Sequence, residues 1–206
     1  MTGLIVPLYI YPGAAWQSLI QAKQASPSVP MIAVINPASG PAATVDPNYS
    51  AGIKALQSAG IKVLGYVPTG YARKAIQAIE ASIMLYLSQY PSLDGIFFDE
   101  MSSSGNEAYY LELNYFAKSK GLSLTVGNPG TEYSSTYQGI FDILIDYEAA
   151  GMISSPAKVF LAYSVPEPPS TFNYGAADWL YVTDQNLPNP YGALPPYLLG
   201  LVKSLE

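Results

Sequence analysis

Eight short runs of Val, Ile, Leu, Phe and Tyr recur along this 206-residue chain, and each gives way to polar or turn-forming residues. They are GLIVPLYIYP (3–12), PMIAVINP (30–37), KVLGYVPT (62–69), DGIFFDE (94–100), SLTVGNP (123–129), DILIDYE (142–148), KVFLAYS (158–164) and WLYVTD (179–184). Their near-continuous apolar character, without strict alternation, marks strands covered on both faces, as in parallel sheets. Parallel strands need crossover connections, usually helices. AAWQSLIQAKQA, NYSAGIKALQSAG, ARKAIQAIEASIMLYLSQY and NEAYYLELNYFAKSKG have the helical spacing to supply them, and YGALPPYLLGLVKSL adds a last helix. Strands alternating with helices predict a (β/α)8 barrel, with an open parallel sheet as the competing fold.

The spacing of the runs modifies that expectation. Strand starts lie about thirty residues apart through the fifth run and then only 19, 16 and 21 apart, too little for full crossover helices. GTEYSSTYQGIF, AAGMISSPA and VPEPPSTFNYGAA each have room for one or two turns. A compact barrel with reduced helices in its second half is therefore expected. No linker or charge run divides the chain, so residues 1–206 are read as one domain.

Composition narrows the chemistry. Only 12% of residues are charged, so each carboxylate is informative. Neither His nor Cys is present, which removes His-based triads, thiol nucleophiles and the usual zinc and iron sites. Acid/base work would fall to carboxylates, Tyr or Lys, with no cofactor or metal expected. A net charge of −6, with nine Lys and Arg spread along the chain, argues against nucleic acid, which needs a basic patch. No apolar run is long enough to span a bilayer, and Met1 leads too quickly into the first strand to allow a signal peptide. The terminal Leu205-Glu206 resembles a common expression-vector junction, the kind that accompanies trimming of a natural export signal.

In barrels of this type the site is built at the carboxyl ends of the strands. The polar residues gather there: Asn36 ends the second run, Asp99 and Glu100 the fourth, Asn128 the fifth, Asp146 and Glu148 the sixth, and Asp184 the eighth. Two carboxylates on separate strands suit glycoside hydrolysis, in which one protonates the leaving oxygen while the other attacks the anomeric carbon or activates water. The plainer role for such acids is to cap helices or pair with Arg73 and Lys. Alternation along a strand would send Asp99 and Glu100 to opposite faces, whereas Asp146 and Glu148 would share one.

Aromatics supply a second signal. There are 18 Tyr, and many stand at strand ends or in the loops that follow: Tyr9, Tyr11, Tyr49, Tyr66, Tyr71, Tyr133, Tyr147, Tyr163 and Tyr191. A tyrosine offers an apolar face to a sugar ring and a hydroxyl to its polar edge, although most tyrosines serve packing. INPASGP and GNPGTEY lack the glycine spacing and the Lys of a phosphate loop. Asn36-Pro37 and Asn128-Pro129 instead end strands and turn an amide inward, to hold a ligand or a carboxylate.

PLYIYPGAAW, VINPASGP, DPNYSAGI, GYVPTGY, GIFFDE, NPGTEY and YVTDQNLPNPYGALPPY occur in this order, and together they resemble the spherulation-specific (spherulin 4-like) family from Val6 to Tyr197. That family is classed with glycoside hydrolase family 135, related to the endo-α-1,4-galactosaminidases of family 114. The resemblance implies a (β/α)8 barrel that acts without a cofactor on polysaccharides of the galactosaminogalactan type. It further implies an exported, secreted or cell-surface protein, and an active site at Asp99, Glu100 and Glu148. Many members carry a His on the seventh strand, where this chain has Tyr163.

The resulting expectation is a monomeric glycosidase that cuts a galactosamine- or N-acetylgalactosamine-containing polysaccharide internally. Asp99 would be the nucleophile and Glu148 the general acid/base, with Glu100 tuning the pair or binding a cationic amino sugar. Tyr9, Tyr11, Asn36, Tyr49, Tyr66, Asn128, Tyr163 and Asp184 would bind substrate. The alternative is a carbohydrate-binding or cell-surface protein on the same barrel, without turnover. A retaining mechanism requires carboxyl groups about 5–5.5 Å apart and an inverting one about 6.5–9.5 Å.

Overall fold

The apolar runs form nine parallel strands in the computed structural model, which describes residues 1–152, 157–167 and 176–206. They are β1 (Gly3–Leu8), β2 (Met31–Ile35), β3 (Ile61–Pro68), β4 (Gly95–Asp99), β5 (Leu124–Gly127), β6 (Ile143–Leu144), β7 (Tyr147–Ala150), β8 (Val159–Tyr163) and β9 (Trp179–Val182). Their order in the sheet is β6-β5-β4-β3-β2-β1-β9-β8-β7. The two ends, β6 and β7, are consecutive in the chain, so the curled sheet returns on itself through residues 143–150 and the barrel expectation holds.

DILIDYE, which reads as one strand, is in fact split. Ile145 N–H donates to Gly127 O on the β5 side at 2.9 Å, and Asp146 N–H donates to Val159 O on the β8 side at 2.8 Å. One short segment thus serves two neighbours in turn. The Asp146 carboxylate supports the switch by accepting from the Lys158 and Val159 backbone N–H groups at 2.8 and 2.9 Å and from the Tyr133 hydroxyl at 2.6 Å. Its acidity at a strand end is therefore structural, since its oxygens satisfy donors that a continuous ladder would otherwise pair.

Helices α1 (Ala14–Ala25), α2 (Pro47–Ser58), α3 (Ile76–Gln89) and α4 (Glu107–Ser119) follow β1 to β4, and α5 (Leu198–Lys203) closes the chain. The start of α2 shows why the sequence folds this way. The Asp46 side chain accepts from Asn48 N–H at 2.8 Å, and Pro47, whose missing N–H is harmless there, opens the helix. Between β5 and β6 a single 3-10 turn, Ser135–Tyr137, replaces a helix, in keeping with the short spacing. The other two short connections, AAGMISSPA and VPEPPSTFNYGAA, lie partly outside the described residues.

Strands β1 and β2 are buried along their whole length, and their side chains join those of the helices in one core. Leu205, next to the terminal residue, packs into that core with 6% of its surface exposed. At the end of β5 the chain needs a residue without a side chain, because a Cβ on Gly127 would lie 2.5 Å from the Phe141 ring and 2.6 Å from Met101 sulfur. That close approach sets the position of the next residue, Asn128.

Candidate active site

Asp99 is the last residue of β4, and the chain leaves the sheet at Glu100. Glu100 adopts the left-handed conformation at φ 50°, so the two acids diverge through a backbone turn and not through strand alternation. This is an uncommon conformation for a non-glycine residue, with a cost of order 1 kcal/mol that the surroundings must hold in place. The fully buried Thr69, just after β3, does so: its N–H donates to Asp99 O at 2.9 Å and its hydroxyl to Glu100 O at 2.7 Å. The same turn aims Glu100 N–H at the Asp99 carboxylate.

Asn128 stands between two carboxylates. Only 3% of its surface is exposed, and its Nδ2 donates to Asp99 Oδ1 at 2.8 Å and to Glu148 Oε2 at 2.6 Å. Two bonds that share one nitrogen can separate their acceptors by no more than the sum of their lengths. The facing oxygens of Asp99 and Glu148 therefore lie within about 5.4 Å of each other. Asn128 Oδ1 in turn accepts from Gly130 N–H at 3.0 Å, which fixes the amide and decides which end faces the acids.

Three tyrosines complete the enclosure. The Tyr66 hydroxyl donates to Asp99, and the Tyr191 hydroxyl donates to Glu148 Oε1. Tyr9 packs edge-on against both rings, with centroids 5.3 Å from Tyr66 and 5.6 Å from Tyr191. Burial, then the charges of Asp99 and Glu148, push the Tyr9 hydroxyl well above its ordinary range, so it remains a donor. It lines a cleft of about 330 Å³ together with Gly130, Glu148, Tyr163 and residues 187–191. That volume is within the range of small-ligand sites.

The same environment acts on Asp99. Burial is the largest cause raising its pKa, the negative charge of Glu148 the next, and the donors Tyr66, Glu100 N–H and Asn128 partly offset them, leaving it at about 6. A carboxyl with such a pKa, paired with a second acid across one amide, is suited to acid/base or nucleophilic chemistry near neutrality. Glu100 contributes negative charge at Tyr66 but is not held by Asn128. Among the described residues, no group of three or more Asp and Glu is placed to hold a metal ion.

The remaining sequence-predicted residues separate into two sets. Tyr9, Tyr66, Asn128 and Tyr163 belong to the carboxylate cluster or its cleft. Tyr11 and Tyr49 are committed elsewhere. The Tyr11 hydroxyl donates to Asp46 and accepts from Asn48, both at 2.8 Å, at the start of α2. The buried Tyr49 ring packs between Tyr11 and Trp16. Asn36 Oδ1 accepts from Gly40 N–H at 2.9 Å and so shapes its own loop. Asp184 accepts from the neighbouring Gln185 side chain at 3.0 Å. Tyr191 is the member that sequence reasoning left among the general rim tyrosines. It lies 43 residues after Glu148, in a proline-rich tail, and nothing local links the two.

The fold and site define a parallel α/β barrel with a carboxylate pair formed by the last residue of β4 and a residue of β7. More particularly, the chain matches spherulation-specific family 4 over residues 3–205 and belongs to that family. It is 43% identical over 151 residues to Spherulin-4 of Physarum polycephalum; the match covers 72% of this chain and 45% of that protein, so the chain spans about half the relative's length. Its structure is similar to the crystal structure of Aspergillus clavatus Sph3 in complex with GalNAc, with a TM-score of 0.85, 26% identity and 99% and 97% of the two chains covered. It also shares its fold with a fucosyltransferase mutant of the α-L-fucosidase AlfC, at a TM-score of 0.53 and 12% identity over 97% and 80% of the chains.

Proposed function

We propose that this protein is an endo-acting retaining glycosidase that cleaves a polysaccharide rich in N-acetylgalactosamine or galactosamine. The observation that carries the reading is the bridge through Asn128, which brings the facing oxygens of Asp99 and Glu148 within about 5.4 Å of each other, close enough for both acids to flank one glycosidic bond, and we take the retaining mechanism from that closeness. The GalNAc bound by Sph3 supports the choice of sugar. A polymer of this kind is met at the cell surface or outside the cell, and the proposed site of action follows.

We give Asp99 the nucleophile's role because three donors converge on it and partly offset the burial and the Glu148 charge that disfavour its anion. It attacks the anomeric carbon as the bond to the leaving oxygen breaks. Glu148, which lines the open cleft, donates its proton to that oxygen. Glu148 then removes a proton from water, the resulting hydroxide displaces Asp99, and the sugar is released with its original anomeric configuration. Tyr9 lines the same space, and we assign its hydroxyl as a donor to the bound sugar.

The test is incubation with galactosaminogalactan in acetylated and deacetylated forms, with products followed by mass spectrometry and their first-formed anomer by NMR. Internal fragments of retained configuration are expected. Inverted products would overturn the mechanism. Sugar binding without cleavage across a broad glycan panel would leave a binding protein on the same barrel.

A further inference from the structure

The turn between β3 and α3 carries a feature that the cleft does not use. Gly70, Tyr71 and Ala72 all lie in the left-handed region, at φ 60°, 59° and 62°. Glycine adopts this conformation freely, but a residue with a bulky side chain such as Tyr71 is strained there. If the turn existed only to shape the backbone, glycine would serve better at position 71. The side chain there is displayed instead, with 52% of the residue exposed. Exposure of this kind is unlike the treatment of Tyr66 and Tyr191, which are buried with their hydroxyls on the catalytic pair.

One contact ties the Tyr71 backbone and another meets its displayed ring. Tyr71 N–H donates to Glu100 O at 2.6 Å, which ties it to the residue that follows Asp99. Arg73, the chain's single arginine, lies with its guanidinium 5.5 Å from the Tyr71 ring centre, while its Nε donates to Gly70 O at 3.1 Å. A half-exposed aromatic ring with a planar fork of N–H donors over one face matches a pyranose, whose apolar face stacks on the other side of the ring and whose peripheral oxygens accept hydrogen bonds at its edge. The guanidinium also disfavours a sugar that carries a free ammonium group.

We propose that Tyr71 and Arg73 form a second sugar-binding subsite, outside the cleft at Glu148, which takes an uncharged or N-acetylated hexose of the polymer beyond the bond that is cut. This proposal rests on the glycosidase reading and names where a longer chain gains its affinity.

The experiment compares Tyr71→Ala, Tyr71→Gly and Tyr71→Phe with the parent protein on an N-acetylated galactosamine polymer and on a short aryl glycoside. Binding of an N-acetylated galactosamine oligosaccharide is measured in parallel by calorimetry in an Asp99→Asn background. A stacking platform predicts that Ala and Gly raise KM for the polymer and weaken oligosaccharide binding by about 3- to 10-fold. Cleavage of the short glycoside stays unchanged, and Phe retains most of the affinity. Gly should also raise Tm, because it relieves the strained backbone, so weaker binding in a more stable protein separates a ligand role from a structural one. Equal affinity in all three variants, or an equal loss on short and long substrates, would overturn the subsite alone. A parent protein that neither cleaves nor binds these sugars would overturn the glycosidase reading and the subsite with it.

Discussion

Acids at the two ends of the barrel strands behave differently, although they are the same residue types on the same sheet. At the amino ends, Asp94 accepts from Val63 N–H and Asp142 from Thr125 N–H, at 2.8 and 2.7 Å, so each acts as an extra rung of the ladder. Asp99, at the carboxyl end of β4, and Glu148, within β7, accept mainly from side chains: an amide and two tyrosine hydroxyls. Backbone donors cannot be exchanged without moving the strand, whereas side-chain donors leave the backbone free and can be tuned. The pKa directions follow this division. Burial raises Asp142, but the Lys118 ammonium and the Thr125 donors outweigh it and hold the group below its ordinary value. For Asp99, burial and the charge of Glu148 outweigh the donors and keep it high.

Asp99→Asn and Glu148→Gln give the largest expected effect on that contrast. Each should lower turnover of the polymer by about 10³-fold or more while sugar binding persists, as read by reducing-end release and calorimetry. Equal loss of binding would mean that the pair holds the fold or the ligand and not the reaction.

The two ends should also respond oppositely in stability. Asp99 binds its proton more tightly in the folded chain, at about 6 against an ordinary 3.8, so its favourable contribution is whole below 3.8 and lost as pH rises through about 6. Asp99→Asn should therefore stabilise the protein by about 2 kcal/mol at pH 8, several degrees in Tm, and by little at pH 4. Asp142 has the opposite sign: its contribution is present above its ordinary 3.8 and lost as pH falls through its lower folded value. Asp142→Asn should destabilise by about 1 kcal/mol at neutral pH and leave activity intact well below Tm. Melting curves of both variants across pH would show two traces of opposite slope.

The dependence of kcat/KM on pH sharpens the assignment of roles. If Asp99 attacks as an anion, the acid limb should have a midpoint near its pKa of about 6. A fall in rate as pH rises through that value would make Asp99 the proton donor and exchange the two roles. The smallest effect is expected from Tyr191→Phe, which deletes one donor to Glu148 and should reduce kcat by about tenfold with KM little changed. Loss of folding in this variant would instead make Tyr191 a packing residue.

Much of this was legible along the chain. The parallel strands, the four full helices of the first half and the shortened second half follow from run spacing, because apolar periodicity and crossover length are local properties. FFDE and DYE were legible as a pair of rim acids for the same reason. The split of DILIDYE was not, since it depends on one segment meeting β5 on one side and β8 on the other.

The sequence by itself determined the class of fold and, through the absence of His and Cys, left carboxylates, Tyr and Lys as the groups open to acid/base work. Only the tertiary structure decided which of them meet. It committed Tyr11 and Tyr49 to the start of α2 and Asp146 to strand closure, and it brought Tyr191 to Glu148 across 43 residues. It also made Asn128 the link between the two acids. The physical reason is that residue type and periodicity act over a few neighbours, whereas hydrogen-bond partners and desolvation are set where distant strands end side by side.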